Sequence, residues 1–128
     1  MDHQTLVTED IEAGRKFLAL IDASGARVSA AFWLNDSEQN EWKFVIAKES
    51  ETKSSFDDYL ALRRLLDQHP QIHKRISLSK IQVVRPDDVL VANLSRAVPG
   101  ANPKSVQRWQ GAINGMLIDD AVIYRTAA

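Results

Sequence analysis

Apolar positions recur along this chain with two different periods, and the switches between them mark its elements. From Thr8 onward the period is helical. At about 100° per residue, Ile11, Ala13, Gly14, Phe17, Leu18, Leu20 and Ile21 fall on one arc, with Glu12, Arg15, Lys16 and Asp22 on the other. Thr8 is expected as the N-cap. Glu9, Asp10 and Glu12 suit the positive end of the helix dipole, and Gly25 supplies the stop. The pattern then becomes strand-like. Residues 27–34 and 41–48 are rich in aromatic and aliphatic side chains and flank the polar run Asn35–Asn40, which predicts a β-hairpin. Both alternating sets of each strand hold apolar residues, so this hairpin is expected to be covered on both faces. Pairing Leu34 with Glu41 would set Trp33 opposite Trp42.

Lys48–Ser55 reads as a polar linker. A second helix is expected from a cap at Ser54 or Ser55 to about His69, with Phe56, Tyr59, Leu62, Leu65 and Leu66 inward and Pro70 ending it. This wheel also places Arg63 on the apolar side. A third strand is expected over 79–85, with Ile81 and Val83 on one face. Asp87 and Asp88 then open a helix that buries Leu90, Val91, Leu94, Ala97 and Val98. Asn114-Gly115 signals a tight hairpin turn pairing 106–113 with 116–125, with irregularities near Gly111 and Asp119-Asp120. A short helix through Val106, Trp109 and Ile113 is the alternative for the first of these segments. The order is therefore α-β-β-α-β-α-β-β. It implies one α+β domain over residues 1–128, with a mostly antiparallel sheet covered by helices and residues 1–7 frayed.

Composition narrows the class. The 128 residues are 45% hydrophobic and 26% charged, as in a globular chain. There is no cysteine, which excludes disulfides, thiolate nucleophiles and cysteine-ligated metals. No apolar run reaches membrane-spanning length and the N-terminus does not resemble a signal peptide, so a cytoplasmic protein without membrane contact is expected. The net charge of −1 hides an asymmetry. Residues 1–60 carry six Lys/Arg against twelve Asp/Glu, and residues 61–128 carry ten against five. Packing can interleave the halves or leave an acidic and a basic face.

Candidate chemistry follows from these charges. Arg63, Arg64, Lys74, Arg75, Lys80 and Arg85 form a basic stretch interrupted by one acid, Asp67. Such a cluster can hold an anionic partner, including nucleic acid, although the slightly acidic chain does not favour the latter. Trp33 and Trp42 can form a recognition platform or belong to the core. Arg63 either runs its stem along the apolar face to reach Asp67 at i+4 or offers its fork at a cleft. Glu41-Trp42-Lys43 matches an acid-x-lysine tripeptide of magnesium-dependent nucleases, which also require a further acid. The Asp-Asp pairs at 57–58 and 87–88 complement helix dipoles, and 119–120 falls at a strand irregularity. His69 and His73 are separated by a helix-breaking proline. No metal or cofactor is therefore expected.

These residues favour a non-catalytic interaction or regulatory module, with a protein partner or a second copy of the chain as its partner. Arg63, Lys74, Arg75, Lys80, Trp33 and Trp42 are its candidate contact residues. The alternative is a small metal-dependent nuclease using Glu41 and Lys43.

Overall fold

A five-stranded sheet divides the molecule into two apolar layers, one under three helices and one under a single helix. The computed structural model describes residues 6–36, 38, 41–49 and 56–126. The elements are α1 (Thr8–Ala23), β1 (Val28–Asp36), β2 (Glu41–Lys48), α2 (Phe56–Gln68), α3 (Pro70–His73), β3 (Ile81–Val84), α4 (Val89–Ala97), β4 (Gln107–Ile113) and β5 (Met116–Arg125). A 3₁₀ turn, Leu78–Lys80, leads into β3. The proposed caps Ser54 and Ser55 lie outside the described residues, as do residues 1–5. Leu6 is buried and Val7 caps α1, so ordered chain begins before the position expected from the sequence. Thr8 is the first helical residue of α1.

The sheet order is β3-β2-β1-β5-β4. Three of its pairs are antiparallel, as expected, and β2 with β3 is parallel. The sheet is therefore mixed. The cause is the connection: β2 reaches β3 through the crossover helix α2, and a crossover returns the chain in the same direction.

Alternation sorts the strand side chains. Trp33, Trp42, Phe44, Ile46, Val122 and Tyr124 face α1, α2 and α3. Phe32, Val45, Ala47, Ala121 and Ile123 face α4. A register shift between Val28 and Ala30 puts these two residues into opposite layers. Burial of both sheet faces explains why the hairpin strands show no strict polar alternation.

The hairpin register differs from the expected one. Leu34 pairs with Lys43 and Asp36 with Glu41, so Trp33 stands opposite Phe44 rather than Trp42. The slip is two residues, which preserves the face of every side chain. Trp33 meets Phe44 edge-on, with ring centroids 5.1 Å apart. Asn114 and Gly115 adopt φ of 50° and 77°, the left-handed pair that the β4–β5 turn requires. Residues 107–113 are strand, which rules out the helical alternative there. The register shifts between Trp109 and Gly111, opposite the Asp119-Asp120 step.

Helix α2 keeps most of its expected arc: Leu62 and Leu66 are buried and Tyr59 and Leu65 pack against the same core, but Phe56 is 66% exposed and Asp58 is buried, so the arc is shifted toward Asp58. Lys48 on β2 explains the shift: its Nζ lies 2.7 Å from Asp58 Oδ1 and draws that side of the helix inward. Arg63 consequently faces solvent.

Candidate basic niche

Five of the six contact residues proposed from sequence line one niche of about 280 Å³: Trp33, Trp42, Lys74, Arg75 and Lys80. The elements that place them have clear local causes. Pro70 ends α2 and also begins α3, because its fixed φ and missing N–H are tolerated in a first helical turn. Ile72 and Ile76 then bury themselves in the α1 layer, which turns the intervening Lys74 and Arg75 outward. The Ile76 N–H donates to Ile72 O at 2.8 Å and closes this turn. Lys80 ends the 3₁₀ turn and arrives beside the other two cations as the chain enters β3. Between them, the Ser77 and Ser79 hydroxyls lie 2.9 Å apart.

The remaining walls come from the N-terminal part of the chain. Leu6 and Asp10 also line the niche. Asp10 Oδ1 lies 3.5 Å from Arg75 Nη1, and Asp10 Oδ2 accepts the Val7 N–H at 3.2 Å. One carboxylate thus tethers α1 to the turn after α3. Among the described residues, neither Lys74 nor Lys80 makes an ion pair. Among the described residues, three cations and one carboxylate line the niche and leave it positive.

Trp42 is 5% exposed and Trp33 1%, so neither indole presents an open face. They wall the niche from within the core. An open stacking platform is absent here because the strands carrying them are covered by α1 and by the α3 segment. The Trp33 indole N–H is buried without a well-formed acceptor. It lies close enough to the Tyr124 hydroxyl to act on its ionisation. Burial pushes that hydroxyl well above the ordinary tyrosine range, and the Trp33 N–H partly opposes the rise.

Arg63 is not part of the niche. Its side chain is 67% exposed and its Nε lies 4.0 Å from Asp67 Oδ2. The sequence correctly offered Asp67 as its partner. The apolar surroundings expected for its stem are missing because the buried arc of α2 centres on Leu62 and Leu66 and leaves the edge carrying Phe56 and Arg63 exposed.

Glu41 and Lys43 lie on the opposite sheet face from Trp42. They pair with each other at 3.6 Å at the start of β2. No cluster of three or more metal-capable side chains occurs among the described residues. His69 directs Nδ1 to Leu65 O at 2.9 Å, a contact within its own helix end.

Leu6 and Asp10 are the niche residues that sequence reasoning missed, and Asp10 is the charged one. Its position in a first helical turn gave it a sufficient local explanation. Its contact with Arg75 spans 65 residues, and no spacing rule reports such a pair. The chain matches no protein-family profile, no curated protein and no solved structure.

Proposed function

We propose that this protein is a non-catalytic interaction module that holds an anionic group of a protein partner in the basic niche. The observation that carries the reading is the convergence of Lys74, Arg75 and Lys80 on one concavity, with two of the three ammonium and guanidinium groups unpaired among the described residues. Cations gathered without matching acids repel one another, and an incoming anion relieves that repulsion. The site suits capture rather than turnover. Among the described residues its one carboxylate is engaged at both oxygens, and the other polar groups at its walls are cations and indoles.

Isothermal titration of the full chain with inorganic phosphate tests this reading. Saturable binding is expected, and the Lys74→Gln/Lys80→Gln double variant should lose it. Phosphate binding that survives in the double variant would place the contact elsewhere. Magnesium-dependent cleavage of nucleic acid that is lost in Glu41→Gln would overturn the module reading in favour of the nuclease alternative.

Self-association is a second reading, and it has its own observation. β4 is an edge strand of the sheet, and Leu117 on the adjoining strand is 72% exposed. Sedimentation at micromolar concentration should then show a dimer; a lone monomer contradicts it.

A further inference from the structure

The geometry points to a phosphate monoester as the group this niche takes, with Asp10 as the internal carboxylate that the phosphate displaces from Arg75. This inference rests on the reading of the niche as the contact site.

Charge selects the ligand class. A phosphate monoester carries about −1.5 to −2 at neutral pH and offers three strong acceptor oxygens. Among the described residues, three cations and one acid leave an excess of two positive charges, which such a dianion balances and a carboxylate would half balance. Size agrees. A volume of about 280 Å³ lies below the usual range for whole drug-sized ligands, roughly 300–1,000 Å³, and suits one headgroup with its first carbons. A nucleic acid is disfavoured on two counts. Its phosphates are single charges that need a track of cations, and Arg63 stands away from the niche. The two indoles are also too covered to stack on bases.

The Arg75–Asp10 contact supplies the device. Arginine has five N–H donors in a planar fork, and Asp10 engages this one at 3.5 Å. A charge-assisted N–H···O bond is normally about 2.7–2.9 Å, so the pair is loose and the fork remains available. The Arg75 side chain is 44% exposed and that of Asp10 19%. Phosphate can therefore reach the guanidinium from solvent. Asp10 stays at the wall, because its second oxygen holds the Val7 N–H. The carboxylate then stands beside the bound anion and opposes it. Asp10 sets a threshold: a singly charged anion gains too little from Lys74 and Lys80 to overcome it, and a dianion gains enough.

The test compares ligands and variants by titration calorimetry on the full chain at fixed salt. The ligands are a short serine peptide in unmodified, phosphoserine and Ser→Glu forms, inorganic phosphate, and a single-stranded oligonucleotide. The proteins are the wild type, Asp10→Asn and Lys80→Gln. Asn at position 10 keeps an acceptor for Val7 while removing the charge, and Lys80→Gln is a partly exposed change that leaves the core untouched. The phosphoserine peptide should bind, and the unmodified and Glu peptides should not. Asp10→Asn should tighten phosphopeptide binding by roughly fivefold or more and admit the Glu peptide, while Lys80→Gln should weaken it by about tenfold. If inorganic phosphate binds as tightly as the phosphoserine peptide, the phosphate group carries all of the affinity and the peptide chain adds nothing, which leaves the phosphate selectivity standing and overturns the reading of a protein partner. Equal wild-type binding of the Glu peptide, or tighter binding of the oligonucleotide, overturns the assignment. Unchanged affinity in Asp10→Asn together with a loss in Lys80→Gln overturns the displacement while leaving the contact site standing. Absence of binding by every anionic probe removes both.

Discussion

Gly14→Ala sets two effects of similar size against each other, and the structure decides between them. Gly14 lies in the middle of α1, where alanine is favoured over glycine by about 1 kcal/mol. Helix propensity alone therefore predicts a stabilised protein. Packing predicts the reverse. A Cβ at this position would fall onto the Tyr124 hydroxyl, 2.7 Å from Tyr124 Cζ and 3.0 Å from Phe44 Cε1. Both rings are fully buried, so neither has solvent to move into. The Tyr124 hydroxyl also donates to Ile11 O at 2.7 Å, a bond that would have to lengthen. Overpacking costs about 1–3 kcal/mol and a lost buried hydrogen bond about 1 kcal/mol. Against the propensity gain, the expected net loss is about 1–3 kcal/mol. Urea unfolding should show a midpoint lower by roughly 1 M with an unchanged slope. The penalty should shrink in a Tyr124→Phe background, where the clashing oxygen is gone, without vanishing, because the ring remains. A Gly14→Ala protein as stable as the wild type, or an equal penalty in both backgrounds, would show that the Tyr124 clash does not set the cost.

Three further outcomes are expected. Lys48→Met should cost about 3 kcal/mol in chemical denaturation, because it leaves the buried Asp58 without its partner while Asp58 Oδ2 already lacks one; Lys48→Met/Asp58→Leu should recover most of that loss. Tyr124 is held neutral by burial, so its contribution to stability is intact below the unfolded-state tyrosine pKa, about 10, and is lost as pH rises beyond it; denaturation midpoints should fall above about pH 10, and less steeply in Tyr124→Phe. Arg63→Met should change stability by less than about 0.5 kcal/mol and leave phosphate titrations unaltered, since Arg63 and Asp67 form an exposed pair outside the niche.

Local chemistry made much of this fold legible. The left-handed turn at Asn114-Gly115, the Asp88 cap that accepts the Leu90 N–H at 2.9 Å and the Gly25 stop after α1 each depend on a few neighbouring residues. The buried face of α1 follows from its own periodicity. Readings that needed long-range information were less accurate. The hairpin slipped by two residues because alternation fixes a strand's faces and leaves its register open to even shifts. In helix α2 Tyr59, Leu62, Leu65 and Leu66 took their expected places, but the arc shifted away from Phe56 because Lys48, eight residues before its start, holds Asp58 inward, an ion pair that no hydrophobic wheel represents. Pro70 ends α2, as its chemistry dictates, and also begins α3. The niche shows the same division. Lys74, Arg75 and Lys80 stood out as a cluster because they are close in sequence. Asp10 did not, because folding alone brings it to Arg75. Arg63 belonged to the charge run and not to the site, since a run of charges along the chain says nothing about which face each side chain takes.

Anion capture in the niche can be followed by heteronuclear NMR of the full chain during titration with inorganic phosphate. Saturable shifts are expected for the backbone amides of Lys74, Arg75 and Lys80, for Asp10 and for the Trp42 indole, with Arg63 and Arg64 unmoved. Shifts centred on α2, or spread evenly over the basic residues without saturation, would contradict it.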